Sequence, residues 1–142
     1  MSNKKLIGLA IVGCGTIGRI RAMMAKDYPG INWIGLCDIN EELGKKLQID
    51  SEADFFTTDY NELVKRSEVN AVIIATDENH HYGPIMASLE RENSLFIEKP
   101  LATDLEESRD VLNKIKSTNV DAVLGYTQRF RRRFLAVKQK LM

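Results

Sequence analysis

Hydrophobic residues in this chain follow two rhythms that alternate from end to end. Short apolar or β-rich runs at residues 6–12, 31–37, 53–56, 71–75, 94–97 and 122–124 have the length of buried strands. Between them lie stretches with helical spacing. Residues 16–27 repeat Ile17, Ile20 and Met24, and residues 40–48 form a short, charged helix. A third helix opens at Asp59, with Glu62 placed to complete its cap. A fourth starts near Gly83 and Pro84, where proline is tolerated in the first turn, and runs to about Glu92. The fifth opens with Thr103-Asp104-Leu105-Glu106, a capping box, and continues through Val111, Leu112 and Ile115. Strands that alternate with helices in this way predict an α/β domain, a parallel doubly wound sheet covered on both faces.

In such sheets ligands bind beyond the carboxyl ends of the strands, where the strand order reverses. The loop after the first strand is Gly13-Cys14-Gly15-Thr16-Ile17-Gly18. A buried strand must turn sharply here into a helix. Gly13 suits the bend, Gly15 leaves room for a pyrophosphate, and Gly18 lets the helix lie close on the strand. The first helical turn adds free amides and the positive end of the helix dipole. Asp38 closes the second strand, beside Ile39, where its carboxylate is placed to accept hydrogen bonds from the adenosine ribose hydroxyls. Strand, glycine loop, helix and acid together predict a Rossmann dinucleotide site. A carboxylate at position 38 repels a 2′-phosphate, so the expected cofactor is NAD rather than NADP. Arg19, Arg21 and Asn40 are the residues that could soften that preference.

Two further loops reach the same edge: Thr76-Asp77-Glu78-Asn79-His80-His81, and Glu98-Lys99-Pro100 after the fifth strand. An ammonium group there could hydrogen-bond the nicotinamide ribose and a substrate hydroxyl, favouring the alkoxide as a proton leaves; the alternative is a solvated loop lysine. His80 or His81 could instead cap the helix that follows. Proline at position 100 lowers the cost of a cis bond from Lys99.

Composition places the chain among soluble globular proteins: 142 residues, 44% hydrophobic and 28% charged. No apolar run approaches the roughly 20 residues that span a bilayer, and the amino terminus does not read as a secretory signal. A cytoplasmic protein without membrane contact is expected. The two cysteines, Cys14 and Cys37, have neither disulfide-framework nor metal-site spacing and read as small residues packed near the cofactor; no metal is expected. The neutral total conceals an asymmetry, because six of the 20 basic residues and none of the 20 acids follow Tyr126. Phe130, Phe134, Val137 and Leu141 give that basic segment an apolar helical stripe, which wants an apolar partner, and no nucleic-acid binding is expected.

The glycine loop, Ala75-Thr76, His81, Leu89-Glu90 and Glu98-Lys99-Pro100-Leu101-Ala102, followed by Gly125-Tyr126-Thr127-Gln128-Arg129-Phe130, resemble the family of glucose-fructose oxidoreductase, inositol 2-dehydrogenase and MocA-type oxidoreductases. The resemblance covers essentially the whole chain, and Glu98-Lys99-Pro100 is its most specific part. It implies an oxidoreductase acting on CH–OH groups of a sugar, polyol or similar small molecule, with Lys99 at cofactor and substrate. It also implies that Ala75, Thr76 and His81 lie along the nicotinamide half, with His81 as a positioning residue and Glu98 nearby, and that the protein is a homo-oligomer. Asp77 departs from the family's usual proline. Family enzymes continue into a second domain, so residues 1–125 are expected to be the nucleotide domain. Residues 126–142 are then the start of a connection, and this chain alone would bind NAD with little or no turnover. A reading from another class, a free-standing module that senses NAD, needs the glycine loop and Asp38 but not Lys99.

Overall fold

The computed structural model describes residues 6–141. Its sheet has six parallel strands: β1 (Ile7–Val12), β2 (Ile31–Cys37), β3 (Phe55–Thr57), β4 (Ala71–Ile74), β5 (Ser94–Glu98) and β6 (Ala122–Gly125). They lie side by side in the order β3-β2-β1-β4-β5-β6. The order reverses between β1 and β4, so the carboxyl ends of those two strands frame the crevice of a doubly wound sheet.

Alternation along the central strand divides the core. Leu9 and Ile11 of β1 join Ala22 and Ala25 of α1 (Thr16–Lys26) and Leu47 of α2 (Glu41–Ser51) on one face. Ala10 and Val12 join the opposite face. There Leu63 of α3 (Tyr60–Val64), Ile85 and Leu89 of α4 (Tyr82–Glu90), and Val111 of α5 (Leu105–Ser117) are buried. Buried on both sides, β1 is apolar almost throughout, as a central parallel strand must be.

Several local expectations shift. The stripe Ile17, Ile20 and Met24 is not the packed face of α1; these residues remain 44%, 48% and 65% exposed, while Gly18, Ala22 and Ala25 are buried. The reason is distance. A Cβ on Gly18 would lie 1.8 Å from the Gly13 carbonyl oxygen, so α1 sits too close to β1 for anything but small side chains. Helix α2 runs to Ser51, beyond the predicted end at 48, and stops where Glu52 takes a left-handed conformation (φ 53°). Strand β3 begins at Phe55 rather than at Ala53.

Helix α4 ends at Glu90, ahead of Glu92, which is itself left-handed (φ 54°). Two caps form differently from the capping boxes read in sequence. Asp104, not Thr103, caps α5 by accepting from the Glu106 and Glu107 amides (2.8 and 3.1 Å), and Thr103 donates to Asn79 instead. Asp59 caps α3, but the Glu62 carboxylate accepts from the Thr57 hydroxyl. A last helix, α6 (Arg132–Leu141), buries none of its residues, and Phe134, Val137 and Leu141 stay exposed.

Candidate dinucleotide site

Three glycines at the end of β1 do three different jobs. Gly13 has φ +100°, and a Cβ there would lie 2.5 Å from the Ala75 carbonyl, so it is the point where the loop after β1 touches the loop after β4. Main-chain bonds secure the junction: the Gly13 amide donates to Cys37 and the Ala75 amide to Val12, each at 2.8 Å. Gly18 permits the close helix approach. Gly15 alone opens outward, for a Cβ built there meets nothing within 4 Å. It is the residue before α1, and the Arg19 amide already donates to its carbonyl (2.8 Å). The amides of Thr16, Ile17 and Gly18, ahead of that first helical bond, have no carbonyl within the helix to receive them. Free amides, helix dipole and an uncrowded approach fit a diphosphate, and Cys14 faces inward beneath them.

Asp38 is built into this loop. Its Oδ2 accepts from the Cys14 amide at 2.7 Å and its Oδ1 from the Asn40 amide at 2.8 Å. Each carboxylate oxygen can accept a second bond, which leaves capacity for two ribose hydroxyls. Both arginines that could have tempered its charge are committed elsewhere: Arg19 to Asp50 at 2.6 Å and Arg21 to Glu98. The Asn40 side chain caps α2 through the Leu43 amide. Ile39, next in the chain, is 92% exposed and lines the cleft.

That cleft, about 340 Å³, runs from Gly15 and Asp38 past Ile39 and Tyr60 to Thr76 and Asp77. Tyr60, Leu43 and Thr58 escaped the sequence reading because neither spacing nor a motif marks them; Leu43 comes from the first turn of α2, Thr58 from the loop after β3 and Tyr60 from the start of α3. A larger hollow of about 660 Å³ lies against α6, lined by Phe130, Phe134 and Leu135, but it has no glycine loop and no acid. The Thr76 hydroxyl is buried without a partner among the described residues, at the edge of the cleft.

His81 is 1% exposed and does not line the cleft. Its ring bridges two loops, with Nδ1 2.7 Å from the Pro100 carbonyl and Nε2 3.2 Å from the Thr76 carbonyl. The ring makes no cap bond to α4. With carbonyls at both nitrogens, the proton of a neutral ring belongs on Nδ1, at the shorter contact. Glu98 is engaged by Arg21, which reaches it through Nε at 3.0 Å and through Nη2. Lys99 is exposed and forms no ion pair among the described residues, and the Lys99–Pro100 peptide is cis.

Both cysteines are buried and unbridged, and the Cys14 thiol donates to the Cys37 carbonyl (3.6 Å). Burial first, and then the Asp38 charge, push each thiol up from its ordinary value of 9.0 to about 12. The unfolded chain loses these protons near pH 9 while the folded chain keeps them, so the thiols favour folding fully below pH 9 and progressively less up to pH 12. Each costs about 1.4 kcal/mol per pH unit in that window. Urea unfolding at rising pH should therefore show the parent losing stability faster than a Cys14→Ala/Cys37→Ala variant; parallel losses would refute the assignment.

Among the described residues there is no cluster able to hold a metal and no helix long and apolar enough to cross a membrane. A sequence model described as the oxidoreductase family with an NAD-binding Rossmann fold matches residues 7–126. The chain is 26% identical to scyllo-inositol 2-dehydrogenase (NAD(+)) of Bacillus subtilis, over 93% of this chain and 39% of that protein. It is 24% identical to myo-inositol 2-dehydrogenase of Thermotoga maritima, over 92% of this chain and 39% of that protein. Among solved structures, myo-inositol dehydrogenase from Lactobacillus casei in complex with NAD(H) and myo-inositol superposes with a TM-score of 0.89 at 22% identity, covering 96% of this chain and 41% of the other. The chain thus spans about two-fifths of the length of such relatives.

Proposed function

The chain belongs to this oxidoreductase family with its NAD-binding Rossmann fold, and from that premise we propose that it is the nucleotide-binding part of an enzyme that transfers hydride between the nicotinamide and a hydroxyl-bearing carbon of a sugar, polyol or related small molecule. Residues 1–125 form the nucleotide domain in this reading, and residues 126–142 begin the connection onward. The bound nicotinamide supplies or accepts the hydride. The chain's own residues hold and orient it. Gly13, Cys14, Gly15, Thr16, Ile17 and Gly18 receive the diphosphate on backbone amides, Asp38 and Ile39 take the adenosine ribose, and Ala75 and Thr76 lead toward the ring. His81 works from behind, its ring seated between the Thr76 and Pro100 carbonyls. Lys99 offers an ammonium, free of any ion pair among the described residues, to stabilise the oxygen from which the proton leaves.

The observation that carries the reading is the open approach to Gly15, beside an Asp38 carboxylate already locked to the Cys14 amide. Asp38 also decides the cofactor. A 2′-phosphate would meet its charge with Arg19 and Arg21 paired elsewhere, so NAD is preferred over NADP. Parallel calorimetric titrations with NAD and NADP test this, repeated on Asp38→Ala. NAD should bind at least about tenfold tighter than NADP, and losing the carboxylate should weaken NAD by at least about tenfold. Equal affinity for the two nucleotides, or an Asp38→Ala variant that binds NAD unchanged, would overturn the assignment. A module that only senses NAD would have no use for Lys99, whereas an enzyme loses turnover with Lys99→Ala while keeping its NAD affinity.

A further inference from the structure

The segment that carries Lys99 is anchored on both sides. On one side the Pro100 carbonyl meets His81 Nδ1 at 2.7 Å. On the other, the Glu98 carboxylate is held by the Arg21 guanidinium through Nε and Nη2, in an ion pair whose side chains are only 22% and 14% exposed. The same guanidinium lies 4.9 Å above the Phe96 ring. Phe96 and Glu98, two residues apart on β5, therefore both face Arg21, while Leu95 and Ile97 sit in the core on the opposite face. Arg21 belongs to α1, the helix whose first turn carries the free amides of the glycine loop. One side chain thus ties the diphosphate helix to the strand end that presents Lys99.

Electrostatics gives the tie a purpose. A carboxylate one residue away in the chain is a natural counter-ion for an ammonium, and a neutralised Lys99 would have little to offer a developing alkoxide. Glu98 is unavailable for that pairing because Arg21 engages it through two nitrogens on the other side of the strand. We propose that Arg21 is a positioning residue for Lys99: by holding Glu98 on the α1 side of β5 it keeps the neighbouring ammonium free of its adjacent acid. The inference deepens the reading of Lys99 given above and rests on it for its catalytic meaning, but the relation among the three side chains is measurable without turnover.

The test is acetylation of Lys99 by an amine-selective ester at one mildly alkaline pH, followed by peptide mass spectrometry on the 142-residue chain. Only the unprotonated amine reacts, so a lysine paired with a carboxylate reacts more slowly. In Arg21→Met, the released Glu98 should slow Lys99 by about threefold or more, and Arg21→Met/Glu98→Gln should return it to within about twofold of the parent. Arg21→Lys should lie between, and Arg19→Met, which breaks the Arg19–Asp50 pair on the same helix, should change nothing. A merely structural role predicts the opposite, a faster Lys99 in a loosened Arg21→Met chain that Glu98→Gln does not correct. That result, or an unchanged rate, overturns the inference. Should Arg21→Met fail to fold, Glu98→Ala alone decides: the proposal requires Lys99 to stay as reactive as in the parent, and a faster Lys99, which would mean that Glu98 already pairs with it, sinks it. Failure of the NAD titrations would instead remove the proposed function and leave this relation standing.

Discussion

Replacing Gly15 by aspartate should raise the melting temperature of the protein slightly while abolishing most of its affinity for NAD. The residue precedes α1 with extended backbone angles (φ −64°, ψ −165°) that any amino acid can adopt, and its missing side chain faces open space. Aspartate is among the best residues for that position, since its carboxylate accepts from the first-turn amides and complements the helix dipole. A gain of about 0.5 kcal/mol, or about 1.5 °C, is expected in scanning calorimetry. The same carboxylate would occupy the amides on Thr16, Ile17 and Gly18 that the diphosphate needs and would repel its charge. The Kd for NAD should rise by at least about 100-fold. A variant that is as stable as the parent and still binds NAD normally would place the diphosphate away from α1.

Gly18→Ala should do the reverse and strike the fold itself. The new methyl would lie 1.8 Å from the Gly13 carbonyl oxygen and 2.8 Å from its carbon, and both are backbone atoms that no rotamer change can move aside. Gly13 in turn is wedged against Ala75 and Thr76, so the loop has no direction in which to yield. Helix α1 must lift from β1 and open the contacts of Ala22 and Ala25 with the sheet. Overpacking of this kind costs about 3 kcal/mol, which corresponds to a melting temperature lower by about 10 °C. An unchanged melting temperature would mean that α1 does not approach β1 as closely as described. Taken together, the two variants separate glycines that read alike in the sequence: one kept open for a ligand, the other for the protein's own backbone.

Legibility in the sequence followed how local each feature is. The glycine loop and Asp38 could be read because a turn, a helix start and the residue that closes the next strand are defined by near neighbours along the chain. All six strands could be read too, the central ones because burial on both faces demands continuous apolar runs and the edge strands β3 and β6 from short runs of aromatic or β-branched residues. Helix α1 was legible as a helix but not in its orientation. Its large residues Ile17, Ile20 and Met24 suggest the buried stripe, and the close approach at Gly18 reverses that choice in favour of alanines. The cap of α5 moved by one residue for a similar reason. Thr103 could have capped α5, but Asn79, delivered by the loop after β4, takes its hydroxyl and leaves the cap to Asp104.

The sequence by itself determined the class of fold, the glycine turn into α1 and the acid that closes β2, on which the proposed nucleotide site is built, because each follows from rules that operate within a strand and the turn after it. Tertiary structure decided which partners the charged and polar groups of the site take. Arg21 and Glu98 are 77 residues apart, and only the β1-β4-β5 order of the sheet brings them together. His81 could have been read as a cap, and the fold instead sets its buried ring between the Thr76 and Pro100 carbonyls. A side chain's preferred partner is set by the lowest free energy among all groups within reach, and what lies within reach across a parallel sheet is decided by topology rather than by spacing along the chain.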